Sequence, residues 1–376
     1  IVHATETWYE FKPANDPAPG EIGLTAWLEK PAGKHGRIKR QGEFLMYNDA
    51  PIKLWGINQC YGTCLPKKEL ADKRAAFYPK FGINSVRFHK FTEYSDYLQK
   101  DTAIEIRAEG VDRMDYQVAK LKEAGIYVNL SVHFGGIMIG RRDRAYVPFL
   151  REFEAEAGRR GQRGKDGLVK AAHSALFYSP ELQALHIAQI TRLLAHTNRY
   201  TGLTYAQDPA IAFIECINEQ SILFSTSMGS LKAYPTIRRQ TAARFSAWLK
   251  RKYGTQTALH KAWGDKAFDS FKYEGFEKVG EDLEKGNILP LGGPWYWEPV
   301  NLNGSQVFRK QRLLDTLEFL TMLQVECYAN YVKALRSAGY DGEIIGSNWQ
   351  AGSAYSHYAN LYTDYTVGTI DRHNYF

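Results

Sequence analysis

Ile211-Ala-Phe-Ile-Glu-Cys-Ile217, running directly into Asn218-Glu219, is the stretch on which the reading of this chain turns. It is short, rich in Ile and Phe, and preceded by Gln207-Asp-Pro-Ala210, where Pro209 marks a turn that ends the previous helix. These are the marks of a buried strand, and they set Asn218 and Glu219 where the strand meets its loop. An Asn-Glu pair that merely solvates a strand end would look the same, so its meaning depends on what surrounds it.

Working outward, the chain repeats one pattern. Lys53-Leu-Trp-Gly-Ile-Asn58 predicts a first strand, after the hairpin-like segment 42–51. A helix over Leu70–Phe81 closed by Gly82 feeds the strand Ile83–His89, and a helix over Asp112–Ala124 closed by Gly125 feeds Ile126–His133. Glycine at a helix end with a strand directly behind it is the short αβ connection. The amphipathic stretch 179–194 predicts a helix with Ser179 as N-cap and Pro180 at its first position, and the strand ending at Glu219 follows. Residues 220–310, aromatic and charged, read as an insertion over one face. A long helix over Arg312–Arg336 then leads to strands Glu343–Trp349 and Val367–Tyr375.

Six βα repeats with largely apolar strands predict a parallel sheet buried on both faces, and a (β/α)8 TIM barrel is the architecture that fits. The last two strands of such a barrel have no counterpart in the sequence, which we take as the sign of a longer polypeptide. Residues 1–48, with short strands expected at Ile22–Leu28 and through Leu45, read as an N-terminal β segment covering the barrel bottom, and residues 49–376 as the barrel itself.

Composition narrows the classes. The 376 residues are 44% hydrophobic and 24% charged, ordinary for a folded domain, with no uninterrupted apolar run of the roughly 18 residues a membrane helix needs. Ile1 opens the chain without a basic or apolar leader, so a signal peptide, if one existed, has been removed; a secreted or periplasmic location is the expectation. The net charge of +7 favours an anionic partner, but no zinc finger, RNA-binding aromatic motif or basic heptad helix points to nucleic acid. A sulfated or carboxylated polysaccharide is the alternative, beside a plain basic surface. The basic run 34–40 reads as an exposed loop. Four cysteines are too few for a disulfide scaffold: Cys216 reads as a small buried hydrophobe, and Cys60 and Cys64 either pair or sit in a loop. Without spaced Cys or His pairs, no metal or other cofactor is expected.

With the strand tips aligned, Val86-Arg87, His133, Asn218-Glu219 and His373-Asn-Tyr375 together resemble the clan of retaining glycoside hydrolases on (β/α)8 barrels that includes the family 5 cellulases and β-mannanases. The resemblance spans roughly residues 50–376. It implies a glycosidase acting on a β-linked oligo- or polysaccharide, with Glu219 as general acid/base and Asn218 bonded to the substrate 2-OH. It also implies a nucleophilic carboxylate about 5–5.5 Å from Glu219 on strand 7, hence beyond residue 376. Glu215, deeper on the same strand, reads as a core carboxylate, and Asp371 as a polar strand end; neither is taken as nucleophile.

In the clan, Arg87 supports the nucleophile, while an ion pair at the barrel rim is its plain structural role. His89 faces the same way as Arg87 because strand side chains alternate, and reads equally as a sugar ligand or as a satisfied histidine. His133 and His373 are assigned to substrate hydroxyls, Tyr375 to the nucleophile and Trp349 to sugar stacking, whereas Trp55 reads as core. Trp295-Tyr-Trp297 is a further stacking candidate or a loop anchor. Two rival readings remain: a carbohydrate-binding barrel without a nucleophile, and a metal-dependent hydrolase, disfavoured because the first strand has no His-x-His pair.

Overall fold

The computed structural model describes residues 16–18, 20–21, 23–93, 96–133, 136–160, 165–349 and 354–374. Five strands, β1 (Gly56–Cys60), β2 (Ser85–His89), β3 (Tyr127–Ser131), β4 (Ile211–Glu215) and β5 (Glu343–Ile345), form one parallel sheet in sequence order. A helix follows each: α1 (Lys68–Phe77), α2 (Ala108–Glu123), α3 (Pro180–Leu194), α4 (Lys310–Ser337) and α5 (Ala354–Val367). Consecutive parallel neighbours with helical crossovers are the wall of a (β/α)8 barrel, and here the wall is open. A single parallel bridge, Ile345 to Thr369, stands where a sixth strand would run. The expected strand from Val367 is therefore corrected. Val367 is the last residue of α5, whose Ser356, Asn360, Thr363, Asp364 and Val367 are buried at helical spacing.

Local signals explain the repeats. Ser179 Oγ accepts from the Leu182 amide at 3.2 Å, capping α3. On α2, Val111, Met114, Val118 and Leu121 recur every three or four residues and are buried. Beyond α2 the chain turns at Gly125, φ +85°, where an added Cβ would stand 2.5 Å from the Glu29 carbonyl oxygen. Only glycine meets both the dihedral and the close approach.

Short strands Lys39–Gln41, Phe44–Tyr47 and Ala50–Pro51 form an antiparallel sheet. Ala32 and Ile38, with Leu45 and Tyr47, pack against Tyr127, Ala210 and Phe213, at the N-terminal ends of β3 and β4. The basic run 34–40 is an exposed loop only in part: Lys34, His35, Gly36 and Arg40 are exposed as expected, while its middle is pinned to the sheet. Ile38 is fully buried, and Arg37 donates to the carbonyls of Ala206, Asp208 and Ile211. Of the strand expected at Ile22–Leu28, Ile22 lies outside the described residues, and Thr25–Trp27 form a 3-10 turn instead, held by the Leu24 amide on the Lys80 carbonyl. Residues 1–15 lie outside the described residues.

The insertion contains helices Ser227–Ala233, Pro235–Tyr253 and Gln256–Trp263 and is anchored on α4. Arg312, fully buried, pairs with Glu281 through two contacts of 2.6 Å, and Trp297 Nε1 donates to the Leu313 carbonyl at 2.9 Å. Asp315, also buried, accepts from Trp263 Nε1 at 2.6 Å and the Tyr253 hydroxyl at 2.7 Å. A fixed fork of donors meeting carboxylates inside the protein makes this junction specific rather than merely sticky. None of the helices among the described residues is long and apolar enough to cross a membrane.

Candidate active site

Strand register sets the polar layer at the top of the sheet. Asn58 stands level with Arg87 and Asn129, and Cys60 level with His89, Ser131 and Glu215. Alternation along each strand puts these residues on the same face. The Arg87 guanidinium bridges three strands. It donates to both Glu215 oxygens at 2.5 and 2.6 Å, to Ser131 Oγ at 2.9 Å, to Asn218 Oδ1 at 2.5 Å and to Asn58 Oδ1 at 3.3 Å. Burial works against its charge, and Glu215 more than offsets this, so its pKa lies above the ordinary arginine value. Asn218, itself buried, is thereby fixed by its oxygen and keeps its amide NH2 for other partners.

Glu219 follows in a left-handed backbone conformation, φ +48°, unusual for a non-glycine residue. Its amide donates to the Ser347 carbonyl at 2.8 Å and to Asn348 Oδ1 at 3.1 Å, so the tip of β5 holds the strained turn. The side chain is mostly buried, and Oε1 lies 2.5 Å from His373 Nδ1. The His373 amide in turn donates to the Asn348 carbonyl at 3.0 Å, which ties the last described segment to the same tip. Asp371 Oδ2 lies 3.8 Å from His373 Nε2. Burial first, and the facing Glu215 second, push the Asp371 carboxyl above the usual carboxylate range.

These groups surround a cleft of about 570 Å³ lined by Asn58, Cys60, Arg87, His89, Lys90, Asn218, Glu219, Arg372, His373 and Asn374. It opens at the C-terminal ends of the strands, where barrel enzymes carry their sites. A carboxyl group with a hydrogen-bonded imidazole, beside a fixed carboxamide, can give and take a proton and hold a hydroxyl. Among the described residues, no cluster of three or more His, Cys, Asp or Glu is arranged to hold a metal ion.

Comparison with known proteins decides the family. A family model described as beta-galactosidase, glycoside hydrolase family 42, matches residues 112–354, well over half of the chain. This chain belongs to glycoside hydrolase family 42. The assignment narrows the clan resemblance to one family and agrees with the barrel wall. A beta-galactosidase from Arthrobacter sp. is 34% identical over 173 residues, a match covering 46% of this chain and 20% of that protein. The chain thus aligns with about a fifth of the length of that curated family relative. Similar solved structures include the endo-1,4-beta-D-mannanase of Thermotoga petrophila RKU-1, at 16% identity over 85% of this chain and 88% of that one, TM-score 0.33. The endo-1,4-beta-mannanase of Rhizomucor miehei is 15% identical over 82% and 90%, TM-score 0.35. Scores this low transfer neither substrate nor geometry to the family 42 chain.

Of the residues expected from the sequence, the structure brings Arg87, His89, Asn218, Glu219 and His373 to one cleft. His89 Nδ1 meets Ser131 Oγ at 2.8 Å, and burial, then the Arg87 charge, lower its pKa to about 3, so it stands neutral. His373 was assigned to a substrate hydroxyl, yet its Nδ1 is directed to Glu219. His133 is not at the cleft. It is buried, its ring 5.2 Å from that of His186, with Thr92 Oγ1 at 3.2 Å from Nδ1, and burial holds its pKa well below the ordinary value. Two residues past the end of β3, it turns into the layer between sheet and helices. Trp349 is half-buried at the end of the β5 segment, edge-on to Phe224 at 6.3 Å and outside the cleft lining. Tyr375 lies outside the described residues.

Trp55, expected in the core, is 69% exposed, because it precedes the edge strand β1. Of the aromatic trio, Trp297 is the loop anchor described above, while Trp295 is exposed. Cys60 and Cys64 are free thiols, the first at the cleft. Sequence reasoning missed Asn58, Ser131 and Asn348, which hold Arg87 and Glu219; only their places at strand tips could have marked them.

Proposed function

We propose that Glu219 is the general acid/base of a retaining glycoside hydrolase that cleaves β-linked saccharides, terminal β-galactosides being the first substrate class to test. The observation that carries this reading is the placement of Glu219 at the C-terminal end of β4, mostly buried in a cleft, with Asn218 fixed beside it by Arg87. The family model and the Arthrobacter relative, both described as beta-galactosidase, support the choice of sugar.

In the first half-reaction Glu219 protonates the departing glycosidic oxygen while a carboxylate on the opposite face of the ring attacks the anomeric carbon. In the second, Glu219 takes a proton from the water that releases the sugar. Asn218 Nδ2 bonds the sugar 2-OH as charge develops. The opposing carboxylate belongs on the wall between Thr369 and the edge strand β1. Arg87, already bonded to Glu215 and Asn218, sets the electrostatics of that floor. An anionic saccharide remains a further proposal suggested by the net charge of +7; substrate affinity that falls with added salt would support it.

The test is Glu219→Gln in the full-length protein. Hydrolysis of a β-galactoside with a poor leaving group should fall by about 10²–10⁴-fold, with azide restoring turnover of an activated aryl galactoside. Products should keep the anomeric configuration. Undiminished hydrolysis by the variant, or inverted products, would refute the assignment, and saccharide binding without turnover in the parent would favour the non-catalytic barrel.

A further inference from the structure

Glu219 is held from two directions, and both holds end on one side chain that lies outside the cleft lining, Asp364 of α5. The first runs through the tip of β5. The Glu219 amide donates to the Ser347 carbonyl at 2.8 Å, and Ser347 gives its own amide to Asp364 Oδ1 at 3.0 Å and its hydroxyl to Asp364 Oδ2 at 3.1 Å. The second runs through the last described segment. His373 Nδ1 stands 2.5 Å from Glu219 Oε1, and the preceding Arg372 donates to Asp364 Oδ2 at 2.5 Å and to the Trp349 carbonyl at 2.6 Å. Asn360, one turn earlier on α5, adds a donor to Oδ2 at 3.2 Å. The Asp364 side chain is 1% exposed; burial raises its carboxyl above the ordinary range, and the Arg372 charge opposes this. The strand tip is shaped to receive it, since a Cβ added at Gly346 would stand 2.3 Å from Asp364 Oδ1.

We propose that Asp364 is a positioning residue for the acid/base: its buried carboxylate clamps the β5 tip, which carries the Glu219 amide, to the segment that carries His373, and so sets where the Glu219 carboxyl stands. The left-handed turn at Glu219, φ +48°, persists only where its surroundings over-determine it. Four hydrogen bonds from a strand tip, a helix and the last segment converge on this one carboxylate and supply that constraint. An ionised carboxylate accepts on both oxygens, which is what lets it serve both arms. Asparagine has one acceptor oxygen. It can face the Ser347 amide or the Arg372 guanidinium, and its NH2 then meets donors on the other side, so one arm is released while the side-chain volume is kept. An acid displaced by about 1 Å loses up to about 10²-fold in rate, and the loss falls on substrates whose leaving group needs a proton.

The inference rests on Glu219 being the acid/base, and its test separates the two. In the full-length protein, kcat/KM, which reports the first half-reaction, is measured for β-galactosides with a poor and with an activated leaving group. Asp364→Asn should raise the activated-to-poor ratio about 10-fold or more. A loss of folded protein scales both substrates alike and leaves that ratio where it was. Arg372→Met, at a less buried position, releases only the His373 arm and should raise the ratio too. In the Glu219→Gln background the acid is already gone, so adding Asp364→Asn should move the ratio by less than about twofold. An unchanged ratio in Asp364→Asn, or in Arg372→Met should Asp364→Asn fail to fold, would overturn the inference while the Glu219→Gln result stood. A full further rise in the Glu219→Gln background would overturn it as well, because Asp364 would then act on another group. Full activity of Glu219→Gln itself would remove the acid, and the clamp's role with it, and is recognised by a ratio that does not respond to that single change.

Discussion

Replacing Glu215 with leucine tests whether the Arg87 network is the buried scaffold of the site. The Glu215 side chain is 2% exposed and that of Arg87 14%, so little solvent screens the pair. Glu215→Leu removes a carboxylate that takes two hydrogen bonds and leaves a cation in the sheet interior, and stranding one partner of a buried pair costs about 3–5 kcal/mol. Arg87→Met alone strands Glu215 and also deprives Asn218 Oδ1 and Ser131 Oγ of a donor. The double variant Arg87→Met/Glu215→Leu removes both charges. What remains is those two acceptors, of which Ser131 Oγ keeps His89 Nδ1 at 2.8 Å, for a residual cost of about 2 kcal/mol. The double variant should therefore be more stable than Glu215→Leu alone. Urea unfolding followed by circular dichroism, with m-values compared to confirm that the unfolding transition is unchanged, gives the three numbers. If Glu215→Leu costs under about 1 kcal/mol, or the double change equals the sum of the singles, the pair is not the buried coupled unit described here.

Two further outcomes follow from the structure. Ser179→Ala should destabilise the chain by about 1 kcal/mol through loss of the α3 cap, and threonine at the same site should recover most of it in thermal unfolding. His186 is buried, its Nε2 donates to the Cys216 carbonyl at 2.8 Å, and burial lowers its pKa to about 4. The folded state thus favours the neutral ring; this stability is complete above pH 6.5 and is lost as pH falls from there toward 4. The upper bound is about 3 kcal/mol, and His186→Gln should flatten the stability profile across that interval.

Several parts of the molecule were legible because their causes are local. Ser179 followed by Pro180, the glycines ending α1 and α2, and the apolar spacing of α2 each act within a few residues, and each formed the expected element. Asn218-Glu219 at the end of β4 was legible for the same reason. The single bridge at Thr369 was not: the segment before it is helical through Val367, and its side chains are buried by α4 and the sheet rather than by a strand partner. His133 and Trp55 were misplaced because alternation fixes which side of a strand a residue takes, not whether a helix, a lumen or solvent lies there.

The sequence by itself determined a run of βα units and the acid at the end of the fourth strand, since periodicity, caps and turns are short-range properties of the chain. Only the tertiary structure decided that Glu215 pairs with Arg87 across 128 positions, that Asn348 holds the strained Glu219 turn, and that His373 meets Glu219 with Asp371 behind it. Those contacts depend on strand register and on how far each tip projects. Register is fixed by the whole sheet closing over its core, which no local window of sequence contains.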